Sequence, residues 1–363
     1  MHLSSIRIAQ FRNIKEFVGN FSPGIHVIEG QNGQGKTNLI EAIHWLAHLR
    51  AFRTNRVRDL VRWKERELSV EGTVVQNGLN HQLKVVIKSG IKKAYLENKT
   101  TSSVNYSGHL SVVLFTPSDL EIVRGTPEVR RRFIDRSIFN TNSQYLPDYL
   151  NYRHALEQRN AYLRKGAPDI LLQSVEVPMA KYGFRLMSER MRQVNSLQDY
   201  FTEPFSQIMA DSLDVRMGYR SFITTTNGQT EEAFLNHIID SRESDRERGF
   251  SQRGPHTDDI TLKILGHSAK GFASQGQQRA VVLSLKIAEI LNFKQKMNEW
   301  PVLLLDDVSS ELDREKNRNL FQFLNDFSGQ VFITTTDSKV LNMDQEYTQW
   351  TVAQGNIERR GRG

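Results

Sequence analysis

The feature that most constrains this chain is a glycine-rich segment, residues 30–37, which lies between a strand pattern and a helix pattern. Its sequence, Gly-Gln-Asn-Gly-Gln-Gly-Lys-Thr, fits the motif Gly-x-x-x-x-Gly-Lys-[Ser/Thr]. Apolar residues 26–28 predict the end of a buried strand, and the apolar positions within residues 38–46 predict one face of a helix. A chance match in a glycine-containing turn would lack these flanks. The segment therefore predicts a loop that binds the phosphate groups of a nucleotide.

Each residue type in this phosphate loop has a physical role. Glycines let the backbone turn so that its N–H groups point into one concavity, and the following helix adds the positive end of its dipole. Lys36 is predicted to contact the β- and γ-phosphates, and the Thr37 hydroxyl to ligate Mg²⁺. The predicted nucleotide-binding residues of the loop are Gly30, Gln31, Asn32, Gly33, Gln34, Gly35, Lys36 and Thr37.

A pair of adjacent carboxylates follows a short apolar run near the carboxyl end of the chain. Residues 302–305 are all apolar and predict a fully buried parallel strand, which ends at Asp306 and Asp307. Placing acids at the end of a buried strand is costly unless a cation or a substrate uses them. Asp306 is therefore predicted to hold Mg²⁺ beside Thr37. Asp307, with Lys36 one of two predicted catalytic residues, is expected to orient or deprotonate the attacking water.

A third signal precedes the long apolar helix predicted from residue 279 onward. Ser274, Gly276 and Gln277 lie where that helix begins, so they could form an anion site at its N-terminus. The same residues could instead form a capping turn with no ligand. The local pattern slightly favours the capping turn.

Composition bounds the class of protein. The 363 residues allow one large domain or two of ordinary size, and the chain contains no run of eighteen apolar residues, which excludes a membrane span. The first residues lack the long apolar segment that is typical of a secretory signal, and the absence of cysteine fits a reducing compartment. We therefore expect a cytoplasmic protein with no membrane partner. The net charge of +7 is compatible with a polyanionic partner but is weak evidence alone.

A basic segment, residues 50–66, follows the first predicted helix. It carries seven arginines and lysines interleaved with Phe52 and Trp63, a combination that suits contact with DNA phosphates together with stacking on bases. A solvated surface loop is the alternative. The candidate DNA-binding residues are Arg53, Arg56, Arg58, Arg62 and Lys64.

Other segments predict organisation rather than chemistry. Residues 68–96 alternate as an antiparallel meander with turns at Asn77-Gly78 and Ser89-Gly90, and residues 145–239 are mostly helical by periodicity. Within that region residues 221–229 predict a strand pair or a loop. The charged residues 241–249 predict a solvated linker.

Two motifs leave their roles open. Gly254-Pro255-His256 either closes a turn or returns the chain to the nucleotide domain, with His256 near the rim of the site. The three arginines Arg130, Arg131 and Arg132 open a predicted helix, where cations are disfavoured by the helix dipole. Carboxylate partners or a bound phosphate would remove that penalty.

Together these motifs resemble a known family. The phosphate loop, the Ser274-Gln275-Gly276-Gln277 turn and the run from Leu305 to Asp313 resemble those of an ABC-type ATPase of the SMC-like branch. More narrowly, the chain resembles the RecF family of bacterial recombination mediators over essentially its whole length. The motifs that carry this narrower resemblance are Gly125-x-Pro127-x-x-Arg130-Arg131-x-Phe133-Ile134-Asp135, Gln158-Arg159-Asn160, Gly254-Pro255-His256 and Ser310-Glu311-Leu312-Asp313.

The resemblance implies an α/β fold with an ABC-type P-loop ATPase head, residues 1–125 plus 252–363, and an inserted, mostly helical arm, residues 126–251. It implies ATP and Mg²⁺ as cofactors and a homodimer in which Ser274 of one copy caps the ATP held by Lys36 of the other. Arg12 becomes a candidate contact for the α-phosphate or the base. The implied function is recombinational repair, replication-fork restart and SOS induction on single-stranded, gapped or duplex-junction DNA, with RecR as protein partner and RecO in the same pathway.

Three departures from the ABC pattern bear on turnover. Gln275 replaces a glycine of the usual signature, Asp307 is one methylene shorter than the common glutamate, and Thr336 stands where a switch histidine is expected. We therefore expect a weak DNA-dependent ATPase that acts as a switch. The alternatives are the nucleotide-binding subunit of a transporter, which shares the core motifs, and a DNA scaffold that binds ATP without hydrolysing it.

Overall fold

The computed structural model describes residues 1–209, 213–223, 230–307, 314–338 and 345–362. The predicted Ser310-Glu311-Leu312-Asp313 motif and most of the predicted strand pair at residues 221–229 lie outside the described residues. The chain forms two compact units. The first unit comprises Met1–Asp119, Gln207–Asp211 and Leu283–Gly363, and the second comprises Leu120–Ser206 and Ser212–Val282.

The strands, in chain order, are His2–Phe11 (β1), Ile14–Asn20 (β2), Ile25–Glu29 (β3), Glu67–Gln76 (β4), Leu79–Lys88 (β5), Ile91–Leu96 (β6), Lys99–Thr101 (β7), Val112–Phe115 (β8), Val215–Arg220 (β9), Asp259–Ile264 (β10), His267–Ser268 (β11), Val302–Leu305 (β12), Val331–Thr335 (β13), Tyr347–Ala353 (β14) and Asn356–Arg362 (β15). The α-helices are Lys36–His48 (α1), Ser103–Tyr106 (α2), Glu121–Arg124 (α3), Pro127–Phe139 (α4), Tyr145–Arg164 (α5), Asp169–Asp199 (α6), Thr202–Met209 (α7), Glu231–Asp240 (α8), Arg242–Arg248 (α9), Ala269–Phe272 (α10), Gln275–Met297 (α11) and Arg314–Asn325 (α12). Short 3₁₀ helices span Val57–Leu60 and Pro117–Leu120. No helix in the described ranges is long and apolar enough to cross a membrane.

The core of the first unit is a mostly parallel sheet with the order β15-β14-β3-β13-β12-β8. Strands β14, β3, β13, β12 and β8 run parallel, and β15 pairs antiparallel at the edge. Every residue of β8, β12 and β13 is buried, as expected for strands covered on both faces. The prediction of a buried strand at residues 302–305 is confirmed, and the phosphate-loop strand β3 lies in the middle of the sheet.

The second sheet of this unit is the predicted antiparallel meander, extended by the N-terminal strands. Its order is β2-β1-β4-β5-β6-β7. The two predicted turns have positive φ at both residues: 51° and 76° at Asn77 and Gly78, and 50° and 78° at Ser89 and Gly90. Such turns match the twist of the strands that they join. Helix α1 packs against strands of both sheets, so it is buried on nearly all sides.

The second unit is mostly helical, as predicted for the middle of the chain. Helices α5 and α6 pack against each other, and a three-stranded sheet has the order β11-β10-β9. Strand β9 lies upstream of the segment where a strand pair was predicted, because its partner β10 is distant in sequence and gives no local signal. Residues 252–282 belong to this compact unit, tied to it by the β9–β10 pairing. The division into an ATPase head and a helical arm at residues 125 and 252 stays a prediction.

The prediction of a solvated linker at residues 241–249 is wrong. These residues contain helix α9, and Asp245 within it is fully buried. Asp245 accepts hydrogen bonds from Arg159 Nη1 (2.6 Å) and from the Ser241 hydroxyl (2.8 Å). Arg159 also donates to Glu176 Oε1 (3.0 Å), and all three charged side chains are buried. The many charged residues of this segment led to the prediction that it is exposed to solvent. Instead, oppositely charged side chains pair with one another inside the unit.

Candidate nucleotide site

The phosphate loop joins the end of β3 to the start of α1. Gly35 is the N-cap of α1 with φ 117°, and Gly33 has φ 78°, so both adopt left-handed conformations that glycine alone adopts readily. A side chain at Gly30 would put its Cβ 2.4 Å from the carbonyl oxygen of Val352, on the neighbouring strand. These three glycines of the motif are therefore required by the backbone geometry of the loop.

Lys36 reaches back across this loop. Its Nζ donates to the carbonyl oxygens of Gly30 (2.7 Å) and Gln31 (3.2 Å). Burial lowers the pKa of Lys36, and the nearby charges of Asp307 and Asp306 oppose that shift. The loop therefore presents a partly desolvated cation next to two carboxylates, an arrangement that suits an anionic ligand with a bound divalent metal.

Thr37 and Asp306, which the sequence predicts to be neighbours, are in contact. The Thr37 hydroxyl donates to Asp306 Oδ1 at 2.9 Å, and the Thr334 hydroxyl of β13 donates to the same oxygen at 2.9 Å. Burial raises the pKa of Asp306, and the hydrogen bonds from Thr37 and Thr334 oppose this shift. Thr334 is a site residue that the sequence analysis missed, because a threonine within an apolar strand pattern carries no signal of its own.

These oxygens fit a magnesium ion. Mg²⁺ binds hard oxygen ligands in octahedral geometry at about 2.1 Å, so two adjacent ligands lie about 3.0 Å apart. The 2.9 Å separation of Thr37 Oγ1 and Asp306 Oδ1 matches that spacing. No group of three or more candidate His, Asp or Glu ligands occurs in the described part of the chain, so phosphate and water oxygens would complete the shell.

Asp307 directly follows this carboxylate and has an uncommon backbone conformation. Its φ is 51°, and its N–H donates to the Thr334 hydroxyl at 2.8 Å. Thr334 therefore contacts both carboxylate residues at the end of β12. The positive φ directs the chain out of the strand direction just where the two acids follow each other.

Ser274, in the second unit, forms a capping box. Its hydroxyl accepts the N–H of Gln277 (3.2 Å), and Gln277 Oε1 accepts the N–H of Ser274 (2.9 Å). Of the two alternatives for this turn, the capping turn is therefore present, and Gly276 lies in the first turn of α11. An additional role of these residues toward a second copy of the chain stays a prediction.

Arg12 is held by a buried acid that the sequence analysis missed. Glu41 on α1 is 0% exposed, and it accepts Arg12 Nε at 2.8 Å and Arg12 Nη2 at 3.1 Å. Arg12 Nη1 donates to the carbonyl oxygen of Asp59 (2.8 Å). The available signal was an acid between Ile40 and Ala42, inside an otherwise apolar helix run. Contact of Arg12 with a nucleotide stays a prediction.

In the basic segment, some cationic side chains have hydrogen-bond or ion-pair partners and others have none within the described residues. Arg53 donates to Asn38 Oδ1 (2.9 Å) and lies 3.8 Å from Glu41. Across the described residues, the side chains of Arg56, Arg58, Arg62 and Lys64 have no ion pair or hydrogen-bond partner, and all but Arg62 are exposed. Trp63 is 85% exposed. The loop is anchored by its backbone, since the Arg62 N–H donates to the Gln10 carbonyl oxygen at 2.9 Å.

The three consecutive arginines have partners within the second unit. Arg130 forms a two-point ion pair with Asp259 (2.7 and 3.0 Å), Arg131 donates to the Asp258 carbonyl oxygen (2.5 Å), and Arg132 pairs with Glu128. Carboxylates and a carbonyl group therefore offset the arginines' charge. The Gly254-Pro255-His256 segment closes a turn, in which the Thr257 N–H donates to the Gly254 carbonyl oxygen (2.8 Å).

Comparison with known proteins agrees with this architecture. The family model of the RecF/RecN/SMC N-terminal domain matches residues 2–358. The protein named DNA replication and repair protein RecF of Myxococcus xanthus is 38% identical over 352 residues, covering 94% of this chain and 92% of the relative. The RecF of an Anaeromyxobacter species is 40% identical over 347 residues, covering 94% of each chain.

Solved structures give the same result for the fold. A structure of the recombination mediator protein RecF with ATP, in the RecFOR pathway, is 28% identical, covers 99% of each chain and superposes with a TM-score of 0.90. An SMC head bound to the C-terminal winged-helix domain of ScpA is only 12% identical with a TM-score of 0.57, which is a likeness of fold alone. The predicted α/β fold with an ABC-type P-loop ATPase head and an inserted, mostly helical part is confirmed. The chain belongs to the RecF family, within the proteins that carry the RecF/RecN/SMC N-terminal domain.

Proposed function

We propose that this chain is an ATP-dependent DNA-binding protein of recombinational repair, replication-fork restart and SOS induction. Relatives named DNA replication and repair protein RecF, aligned over nearly the whole chain, support the process. Solved structures of RecF with ATP and with ATPrS support the ligand. The observation that carries the proposal is the 2.9 Å contact between Thr37 and Asp306, because it joins the phosphate loop to a carboxylate from a distant strand at the spacing of two magnesium ligands.

In this proposal, different residues of the chain bind the phosphates of ATP, bind the metal and activate the attacking water. Lys36 and the loop N–H groups hold the β- and γ-phosphates, while Thr37 and Asp306 hold Mg²⁺. The metal, when bound, neutralises charge on the phosphate oxygens. Asp307 orients the attacking water or accepts its proton. Its side chain is one methylene shorter than glutamate, which supports slow hydrolysis that times release from DNA.

The second copy of the chain completes the site. Ser274, Gly276 and Gln277 lie at the start of a helix whose N-terminus favours an anion, and Ser274 is exposed. We propose that ATP held by Lys36 of one protomer is closed by this turn of the other, so that dimerisation depends on ATP.

DNA binding is assigned to the basic segment, with Arg53, Arg56, Arg58, Arg62 and Lys64 on phosphates and Trp63 on a base. The exposure of Trp63 supports this assignment, as does the lack of intramolecular side-chain partners for Arg56, Arg58, Arg62 and Lys64 within the described residues. RecR is the proposed protein partner, with RecO in the same pathway. The solved structures of RecF, a recombination mediator protein of the RecFOR pathway, support this partnership.

Binding and hydrolysis measured together test the proposal. Fluorescence anisotropy of single-stranded, duplex and gapped DNA should give tighter binding with ATP and Mg²⁺ than without nucleotide, and gapped DNA should raise ATP turnover. Absence of both effects would overturn the proposal. The two alternative functions predict other results: a transporter subunit would ignore DNA, and a non-hydrolysing scaffold would bind DNA with ATP but release no phosphate.

A further inference from the structure

Glu41 is a buried carboxylate that no step above uses. It lies on α1 five residues after Lys36, and its side chain is fully buried. Burying a carboxylate is unfavourable unless it is paired and hydrogen-bonded. Here both oxygens are engaged: Oε2 and Oε1 receive Arg12, and Oε1 also receives the backbone N–H of Arg53 at 3.4 Å. One acid therefore serves two arginines from different segments.

Arg12 is fixed by the basic segment as well as by Glu41. Its backbone has φ 55°, a conformation uncommon for a residue other than glycine, at the turn between β1 and β2. The Arg12 N–H donates to the Leu60 carbonyl oxygen (2.7 Å), and Nη1 donates to the Asp59 carbonyl oxygen (2.8 Å). Both acceptors lie in the short 3₁₀ helix Val57–Leu60, so a displacement of that segment displaces Arg12.

Arg53 begins a chain of side-chain amides that ends at the phosphate loop. Arg53 Nη1 donates to Asn38 Oδ1 (2.9 Å), Asn38 Nδ2 donates to Asn13 Oδ1 (2.7 Å), and Asn13 Nδ2 donates to the carbonyl oxygen of Gln34 (2.9 Å). Each amide accepts with its oxygen and donates with its nitrogen, so the chain has one direction. Gln34 immediately precedes the Gly35-Lys36-Thr37 turn.

Arg53 is also placed to leave these contacts. Its side chain is 46% exposed, whereas that of Glu41 is 0% exposed. A phosphate in solvent can therefore compete for the Arg53 guanidinium without opening the core. Removal of Arg53 from this position therefore takes away its ion pair with Glu41 and the hydrogen bond that begins the chain leading to Gln34.

We propose that Glu41 is a positioning residue that couples DNA binding to the nucleotide site, by holding Arg12 and Arg53 in one arrangement with the phosphate loop. The proposal rests on the proposed function. Withdrawal of Arg53 by a DNA phosphate leaves Glu41 paired with Arg12 alone and removes the donor to Asn38, the first amide of the chain that reaches Gln34. Because coupling is reciprocal, ATP must alter DNA affinity by the same factor by which DNA alters ATP affinity.

The test measures this factor in both directions. The dissociation constant of a fluorescent ATP analogue is measured with and without saturating DNA, and that of DNA with and without ATP, for the unsubstituted chain, Glu41→Gln and Asn38→Ala. We expect a factor of about five or more in the unsubstituted chain, and a factor below about two in both variants. Asn38→Ala interrupts the amide chain without removing a buried charge, so it serves if Glu41→Gln does not fold. Glu71→Gln, which removes a carboxylate paired with Lys84 at 3.0 Å on the antiparallel sheet, should keep the full factor.

The outcomes separate this proposal from the proposed function. If the unsubstituted chain binds both ligands with the expected factor and the folded variants keep it, Glu41 and Asn38 do not couple the sites, although the function stands. If the unsubstituted chain binds only one of the two ligands, ATP or DNA, and not the other, the proposed function itself fails. A merely structural role would weaken both affinities while leaving their mutual factor unchanged.

Discussion

The hydroxyl of Thr37 and the carboxylate of Asp306 are 2.9 Å apart, although 269 positions of sequence separate them. Thr37 is placed by the first turn of α1 and Asp306 by the end of β12, two strands away from the phosphate-loop strand in the sheet. Thr334, on the strand between them, donates to the same Asp306 oxygen. The parallel order of the strands thus brings a loop residue and an acid to one edge of the sheet.

This contact predicts that Asp306 governs the effect of magnesium on ATP binding. Asp306→Asn should lower the ATP affinity measured with Mg²⁺ by about tenfold or more, and leave the affinity measured with EDTA nearly unchanged. Isothermal titration in the two buffers checks this. Asp199→Asn, at an exposed end of a helix, is the charge-matched control. Equal losses with and without metal would assign Asp306 a structural role instead.

The unpaired cations of the basic segment predict the salt dependence of DNA binding. Each phosphate contact with duplex DNA contributes about 0.9 to the slope of log K against log salt concentration. Arg56→Ala combined with Arg58→Ala should therefore reduce the magnitude of that slope by about 2. Lys84→Ala with Lys88→Ala, which removes two lysines paired with Glu71 and Glu67, should reduce it far less. An unchanged slope in the first double variant would place the DNA contacts elsewhere on the chain.

The buried ion pairs of the second unit predict a large stability difference between two arginines of one helix. Arg159→Ala would leave Asp245 buried without an ion-pair partner and Glu176 paired with Arg242 alone, and it should cost about 3–5 kcal/mol of unfolding free energy. Arg153→Ala, which removes an exposed pair with Glu157, should cost about 0.5 kcal/mol or less. Urea unfolding at neutral pH measures both. Similar losses would mean that the Arg159 cluster contributes no more than a surface pair.

His26 predicts a loss of stability in mild acid. Burial lowers its pKa from 6.5 to about 4. Trp350 Nε1 donates to Nδ1 (3.3 Å), and Nε2 donates to the Ser22 carbonyl oxygen (2.8 Å), so the neutral ring is the form that fits. Below pH 6.5 the unfolded chain binds a proton that the folded chain excludes, and the unfolding free energy falls by about 1.4 kcal/mol per pH unit until about pH 4.

Comparison of variants isolates this contribution from that of other titrating groups. His26→Gln should lower stability at pH 7 but give a flatter decline between pH 6.5 and pH 4 than the unsubstituted chain. His154→Gln, at an exposed position of α5, should keep the original decline. Urea unfolding at a series of pH values supplies the data, and parallel curves for all three proteins would contradict the assignment.

Local patterns in the sequence were sufficient for the phosphate loop and for strand β12. The loop needs glycine at Gly33 and Gly35, and the strand is buried on both faces. Both features can be recognised from consecutive residues. The site residues that were missed depend on distant partners. Thr334 and Glu41 gain their roles only because Asp306 and Arg12 arrive from other segments.

The wrong prediction of a solvated linker also arose because a buried side chain depends on a distant partner. Residues 241–249 are dense in charge, and charge density alone predicts solvent. Asp245 is buried because Arg159, 86 positions earlier, reaches it from α5. A pairing at that separation is a property of helix packing, which one sequence read in order does not contain.

If the phosphate loop is half of a site that a second copy of the chain closes when ATP is bound, the molar mass of the protein must depend on ATP. Light scattering in ATP and Mg²⁺ measures this molar mass most directly. The three proteins to compare are the unsubstituted chain, Asp307→Asn and Lys36→Ala. We expect the unsubstituted chain to shift toward twice the monomer mass of 41.8 kDa and Asp307→Asn to remain at the dimer mass, because binding without hydrolysis holds the site closed. Lys36→Ala should remain a monomer. A monomeric Asp307→Asn protein with ATP bound, or a Lys36→Ala dimer that forms without nucleotide, would contradict the account.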